Sequence, residues 1–87
     1  EPEFGSGLQR FFFQKMDKAL KIDIRETVKT SLLRNEPRIT VESVSVEYMD
    51  LQSGLVEITI KYVFNKTNTR HNYVYPFYIK EGTNLPR

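Results

Sequence analysis

Four carboxylates, Glu3, Asp17, Glu26 and Glu36, have the chemistry to cleave a glycosidic bond. That reaction needs one acid to protonate the leaving oxygen and a second carboxylate to meet the developing cation. The surroundings of three of them suggest other work. Glu26 follows Asp23 at the spacing of a helix capping box, Asp17 sits among lysines, and Glu3 lies close to the first residue. Glu36 is different, because Glu36-Pro37-Arg38 sets an acid and a base on either side of a rigid ring. Pro37 cannot continue a helix and drives Glu36 out of the helical region, so the turn is imposed by covalent geometry. Its residue types suit an ion-pairing clasp to a partner. Arg38 supplies a charge-assisted contact and Pro37 fixes its direction.

Other chemistry finds little support. His71 is the only histidine and stands between Arg70 and Asn72, without the acidic or thiol neighbours of a metal site. Ser31, Ser43, Ser45 and Ser53 have no base in register, and Gly5-Ser6-Gly7 is too short for a phosphate loop. Aromatic runs near Lys61, Lys66, Arg70, His71 and Lys80 resemble a base-stacking sheet only loosely. Tyr62 and Phe64 share parity with Val56, Ile58 and Ile60, which assigns them to a core. Asn65-Lys66-Thr67 is formally a glycosylation triplet, unsupported by any other sign of secretion. The residues therefore predict no enzyme, no cofactor and no metal.

The totals agree with a single domain over 1–87, of ordinary globular composition: 39% hydrophobic and 28% charged, with a net charge of +2. That charge is too small to argue for nucleic acid. A chain this short buries only about 60% of its unfolded surface, so partners would add to a modest core. The absence of cysteine fits a reducing compartment, and no apolar run is long enough to span a bilayer. The first residue is Glu1 rather than Met, which reads as a cut or a fragment.

Leu8, Phe11 and Phe12 make a short helical face, and Lys15 to Lys21 reads as a linker with some helical character. Asp23 and Glu26 predict a capping box for a helix over 23–35, with Ile24, Val28 and Leu32 as its apolar stripe. After Pro37 the period drops to two. Ile39 and Val41 share one parity and Val44, Val46 and Tyr48 the other, which predicts a bulge near Glu42-Ser43. A loop over Met49 to Gly54 leads to Val56, Ile58, Ile60, Tyr62 and Phe64, a cleanly alternating strand. Asn65 to Asn72 reads as a polar turn region. Tyr73, Tyr75, Phe77 and Ile79 then alternate, but Pro76 removes an amide in mid-run and sends that strand to a sheet edge. The expected fold is α+β, with N-terminal helices packed on a small three-stranded antiparallel sheet.

The order of these features resembles the phage baseplate wedge and sheath-initiator family (gp25-like, including TssE of the type VI secretion system). Pro2-Glu3-Phe4-Gly5 comes first, then Leu8 and Phe11-Phe12-Phe13, then a helix leading into Asn35-Glu36-Pro37-Arg38-Ile39, then a hairpin. The run Asn72 to Tyr78 is similar to Bacteroidetes-type members. Members commonly carry a segment ahead of Pro-Glu-Phe-Gly, and an aromatic where Asn35 stands here.

The resemblance implies a cytoplasmic structural protein of a contractile injection machine, docking on baseplate wedge subunits and seeding assembly of sheath subunits. It assigns wedge docking to Glu36, Pro37 and Arg38, and a sheath-facing edge to the C-terminal strand with Tyr75 and Phe77. Some relatives have been labelled lysozymes, so a peptidoglycan-cleaving enzyme is the alternative, with a nucleic-acid-binding domain as a third reading.

Overall fold

The computed structural model describes residues 4–80, with side chains from residue 8 onward. A 3-10 helix, Phe4–Phe11, precedes α1, Lys18–Asn35. Three strands follow, β1 (Ile39–Asp50), β2 (Leu55–Phe64) and β3 (Thr69–Tyr78), in the antiparallel order β1-β2-β3. The α+β expectation holds.

Helix α1 begins five residues earlier than the Asp23 reading predicts. Asp17, in extended conformation, is the cap, and its carboxylate accepts the Leu20 amide at 2.9 Å. The early start adds Leu20 to the stripe, so Leu20, Ile24, Val28 and Leu32 are all buried. Asp23 and Glu26 fall on the exposed outer side of an already formed helix. Residues 18–21, expected as linker, are its first turn.

The chain leaves α1 through a hydrogen-bonded turn. The Glu36 amide donates to the Leu32 carbonyl at 2.9 Å and closes the helix. Ile39 then donates to the Glu36 carbonyl at 3.3 Å, which makes Glu36 to Ile39 a β-turn with proline at its preferred second position.

The β1–β2 register slips by one residue between Val41 and Ser43, at the predicted bulge, and again between Tyr48 and Asp50. The first slip turns Val44, Val46 and Tyr48 to the core with Ile39 and Val41. β3 is longer than predicted. Its polar start, Thr69 to Asn72, pairs with Phe64 to Lys61, because backbone pairing at an exposed edge requires no apolar side chains.

The core lies on one sheet face. Val56, Ile58 and Ile60 of the central strand meet the α1 stripe, and Leu8 and Phe11 of the 3-10 helix complete it. Helix α1 lies over β1. Phe12, just after the 3-10 helix, packs on Phe77 of β3 with ring centroids 6.2 Å apart. The Arg10 guanidinium joins that helix to α1 through the Thr27 hydroxyl at 2.9 Å. At the same end, Ile79 donates to the Gly54 carbonyl at 2.8 Å and Lys80 to that of Phe12 at 2.6 Å. Gly54 has φ +81°, and a Cβ there would sit 1.9 Å from the Ile79 carbonyl oxygen, so both backbone angle and approach require glycine.

Candidate functional site

The β-turn after α1 presents Glu36 and Arg38 as a formed ion pair, with Arg38 Nη2 donating to Glu36 Oε1 at 2.9 Å. The two side chains are unequally exposed, 11% for Glu36 and 66% for Arg38. The acid is therefore the inner member and the base the outward one. Pro37 separates them and is itself exposed. A guanidinium held by one carboxylate keeps further N–H donors for a second acceptor.

Beside this corner, between the last turns of α1 and the start of β1, runs a groove of about 530 Å³. Its apolar lining includes Leu32, Leu33, Pro37, Ile39 and Val41. Leu33 is 82% exposed, a leucine with no place in the core. The Leu32-Leu33 pair carried a signal for it, since only one of two adjacent helix positions can face the sheet. Glu26 and Glu36 both line this groove, but ten residues of helix rise hold them about 15 Å apart along α1, wider than a glycosidase carboxylate pair. Each is paired to an arginine, Glu26 to Arg25 and Glu36 to Arg38. Asp17 is used as the helix cap, and Glu3 lies outside the described residues.

The sheet has two edges. The Asn65 amide donates to the Arg38 carbonyl, and the Ile79 amide to the Gly54 carbonyl. Counting from these bonds through the registers, Ser43, Ser45 and Glu47 of β1 point their backbone groups at β2. Val44, Val46 and Tyr48 therefore point theirs outward. On β3 the outward row is Arg70, Asn72, Val74, Pro76 and Tyr78. Pro76 has no amide hydrogen, so its absence costs no ladder bond but leaves a gap in the free edge. Tyr75 is half-buried and Phe77 buried, both packed with the core, so β3 offers backbone outward at these residues' neighbours rather than these two side chains.

Alongside the outward stretch of β1, Lys18, Lys21, Ile22 and Arg25 of α1 line a shallow groove with Val44 to Glu47. Once the helix is known to begin at Lys18, these positions recur on one side of it. Lys21 also rests over the Tyr48 ring, 4.9 Å from its centroid, and the Tyr48 hydroxyl donates to the Asp17 carbonyl.

The remaining candidates are dispersed. His71 stacks on Tyr62 and shares a hydrogen bond with the Thr69 hydroxyl at 2.9 Å. Arg70 pairs with Glu42 at 3.4 Å. Among the described residues no group of three histidine or acidic side chains is placed to hold a metal. No helix among them is long and apolar enough to cross a membrane.

The family described as baseplate wedge protein gp25 matches residues 1–69. A comparison with curated proteins gives no match. Among solved structures, a candidate tail lysozyme from Geobacter sulfurreducens superposes with a TM-score of 0.77 at 37% sequence identity. The match covers 87% of this chain and 68% of that one. This relative corrects the expectation of no enzyme. That solved structure is described as a candidate tail lysozyme, so enzymatic activity belongs among the readings.

Proposed function

The chain belongs to the baseplate wedge protein gp25 family, and from that premise we propose that it is a baseplate component of a contractile injection machine that docks on the wedge and seeds the sheath. In this reading Glu36, Pro37 and Arg38 are the wedge-docking residues, and the machine's cytoplasmic side is where they act. The observation that carries it is the preformed ion pair with its base turned outward. Arg38 needs no rearrangement to meet an acidic partner surface, and the β-turn around Pro37 has already met much of the ordering cost. The neighbouring groove, with Leu33 at its rim, suits an apolar helix of the wedge.

Sheath seeding would use an open sheet edge, where main-chain hydrogen bonds give affinity to an added strand. β1 supports this best, with its outward groups at Val44, Val46 and Tyr48 and a basic strip beside them. β3, with Tyr75 and Phe77 anchoring it to the core, is the second candidate edge. Capture of purified wedge and sheath subunits tests the reading. Arg38→Ala should lower wedge capture by at least about tenfold, as expected for a charge-assisted contact, and spare sheath capture. Equal wedge capture by both forms would remove the corner's role.

A second reading is cleavage of cell-wall glycan, favoured by the Geobacter sulfurreducens relative, with the groove lined by Glu36 as its site. Its volume is within the range of small-ligand sites. The two readings are compatible, since one baseplate protein can both dock and hydrolyse. Purified peptidoglycan should be cleared by the chain and not by Glu36→Gln. Absence of clearing at high protein concentration would end this second reading.

A further inference from the structure

We infer that Asn65 is a positioning residue for the docking corner, holding from a distant turn the backbone on which Arg38 stands. The inference rests on the wedge-docking reading of Glu36-Pro37-Arg38. Asn65 opens the β2–β3 turn and is exposed, so packing does not explain its contacts. Its amide donates to the Arg38 carbonyl at 2.9 Å. Its side-chain Nδ2 donates to the Pro37 carbonyl at 3.4 Å, and its Oδ1 accepts from the Thr40 hydroxyl at 2.8 Å. The two side-chain partners, Pro37 and Thr40, bracket Arg38, and these contacts reach across 25 and 28 residues of sequence.

This arrangement uses both ends of one carboxamide. A carboxylate of the same shape would keep the Thr40 contact but would lose the donor to Pro37. A serine or alanine would supply neither side-chain bond. The segment that Asn65 holds is the one whose direction decides where the Arg38 guanidinium points. Fixing it before the partner arrives lowers the ordering cost of binding, and because Asn65 and Thr40 also line the neighbouring groove, a double-mutant cycle separates positioning from direct contact. The backbone bond alone cannot do this, because any residue at 65 would make it. The side chain adds the second and third restraints, on either side of the arginine.

The experiment is a double-mutant cycle on the full chain, with affinity for purified wedge subunits as the readout. Asn65→Ala should weaken binding by about threefold to tenfold, the range expected for losing preorganisation at one long side chain. In an Arg38→Ala background the same substitution should cost nothing further, because the guanidinium it positions is gone. Thr40→Val, which removes one restraint and keeps the strand's shape, should show a smaller loss with the same non-additivity. Sheath capture should be unmoved by all of them, which a merely structural effect would not allow. If Asn65→Ala is too unstable to compare, the Thr40→Val cycle decides alone. Full losses that multiply independently, or an Asn65→Ala protein that binds like wild type while Arg38→Ala fails, would overturn the inference and leave the docking reading standing. If Arg38→Ala itself binds normally, both fall.

Discussion

The two edges of this small sheet differ in what they expose, although both flank the same central strand. β1 runs between two bulges and presents an uninterrupted outward stretch at Val44, Val46 and Tyr48, with Lys18, Lys21 and Arg25 alongside. β3 has no bulge against β2, and it carries Pro76 in its outward row. A bulge bends an edge away from flat pairing, and proline deletes a donor from it. The lesson is that β1 is restricted at both ends by bulges and carries a basic strip beside its middle, whereas β3 is interrupted toward its end at Pro76, after Arg70, Asn72 and Val74.

Changing the strand that both edges share should abolish the difference. Ile58 is fully buried at the centre of β2, and Ile58→Ala should cost about 2–5 kcal/mol in chemical denaturation. Sheath and wedge capture should then fall together. If one survived, the edge and the corner would be more independent than a common core allows.

A sharper cut is Val46→Pro compared with Val46→Ala. Both lose the buried side chain, but only proline removes the outward amide and blocks the β1 edge. Sheath capture should drop by at least about tenfold for proline relative to alanine, the order expected when a backbone hydrogen bond is lost and its site obstructed. Similar capture by the two would move strand addition away from β1.

Charge reversal at Lys21 and Arg25 tests the strip beside that edge. The expected loss is about threefold to tenfold in sheath affinity at low salt, shrinking as salt is raised. A loss that ignores ionic strength would point to packing instead. The smallest effect is expected for Pro76→Val, which restores a donor to the β3 edge. Stability should change by less than about 0.5 kcal/mol, with sheath capture unchanged. A gain in capture would make β3 the working edge.

Much of this architecture was legible in the residues. The parity change across Glu42-Ser43 announced the bulge, the alternation from Val56 to Phe64 gave the central strand, and Pro76 announced an edge. Each is a local signal, set by the pleat or by a missing amide. The start of α1 was misread because Asp23 and Glu26 happen to stand at capping distance, while the Asp17 cap precedes a mixed stretch with one apolar anchor, Leu20. The polar start of β3 was read as turn, because at an exposed edge the backbone pairs without any apolar pattern to show it. The groove beside the Arg38 corner, and the contacts of Asn65 with Pro37 and Thr40, depend on how α1 and the β2–β3 turn are set against β1. No spacing along the chain encodes that, and the expectation of no enzyme is overturned by the relative described as a tail lysozyme, which no residue pattern in this chain shows.

The fastening of Ile79 to Gly54 and of Lys80 to Phe12 has a mechanical consequence. It lies at the opposite end of β2 from the Arg38 corner, about 30 Å away along a ten-residue strand. Tension between these two poles would run parallel to the strands. The ladder bonds on either side of β2 lie across that direction and would share the load in shear, instead of parting one after another as in a peeled ribbon.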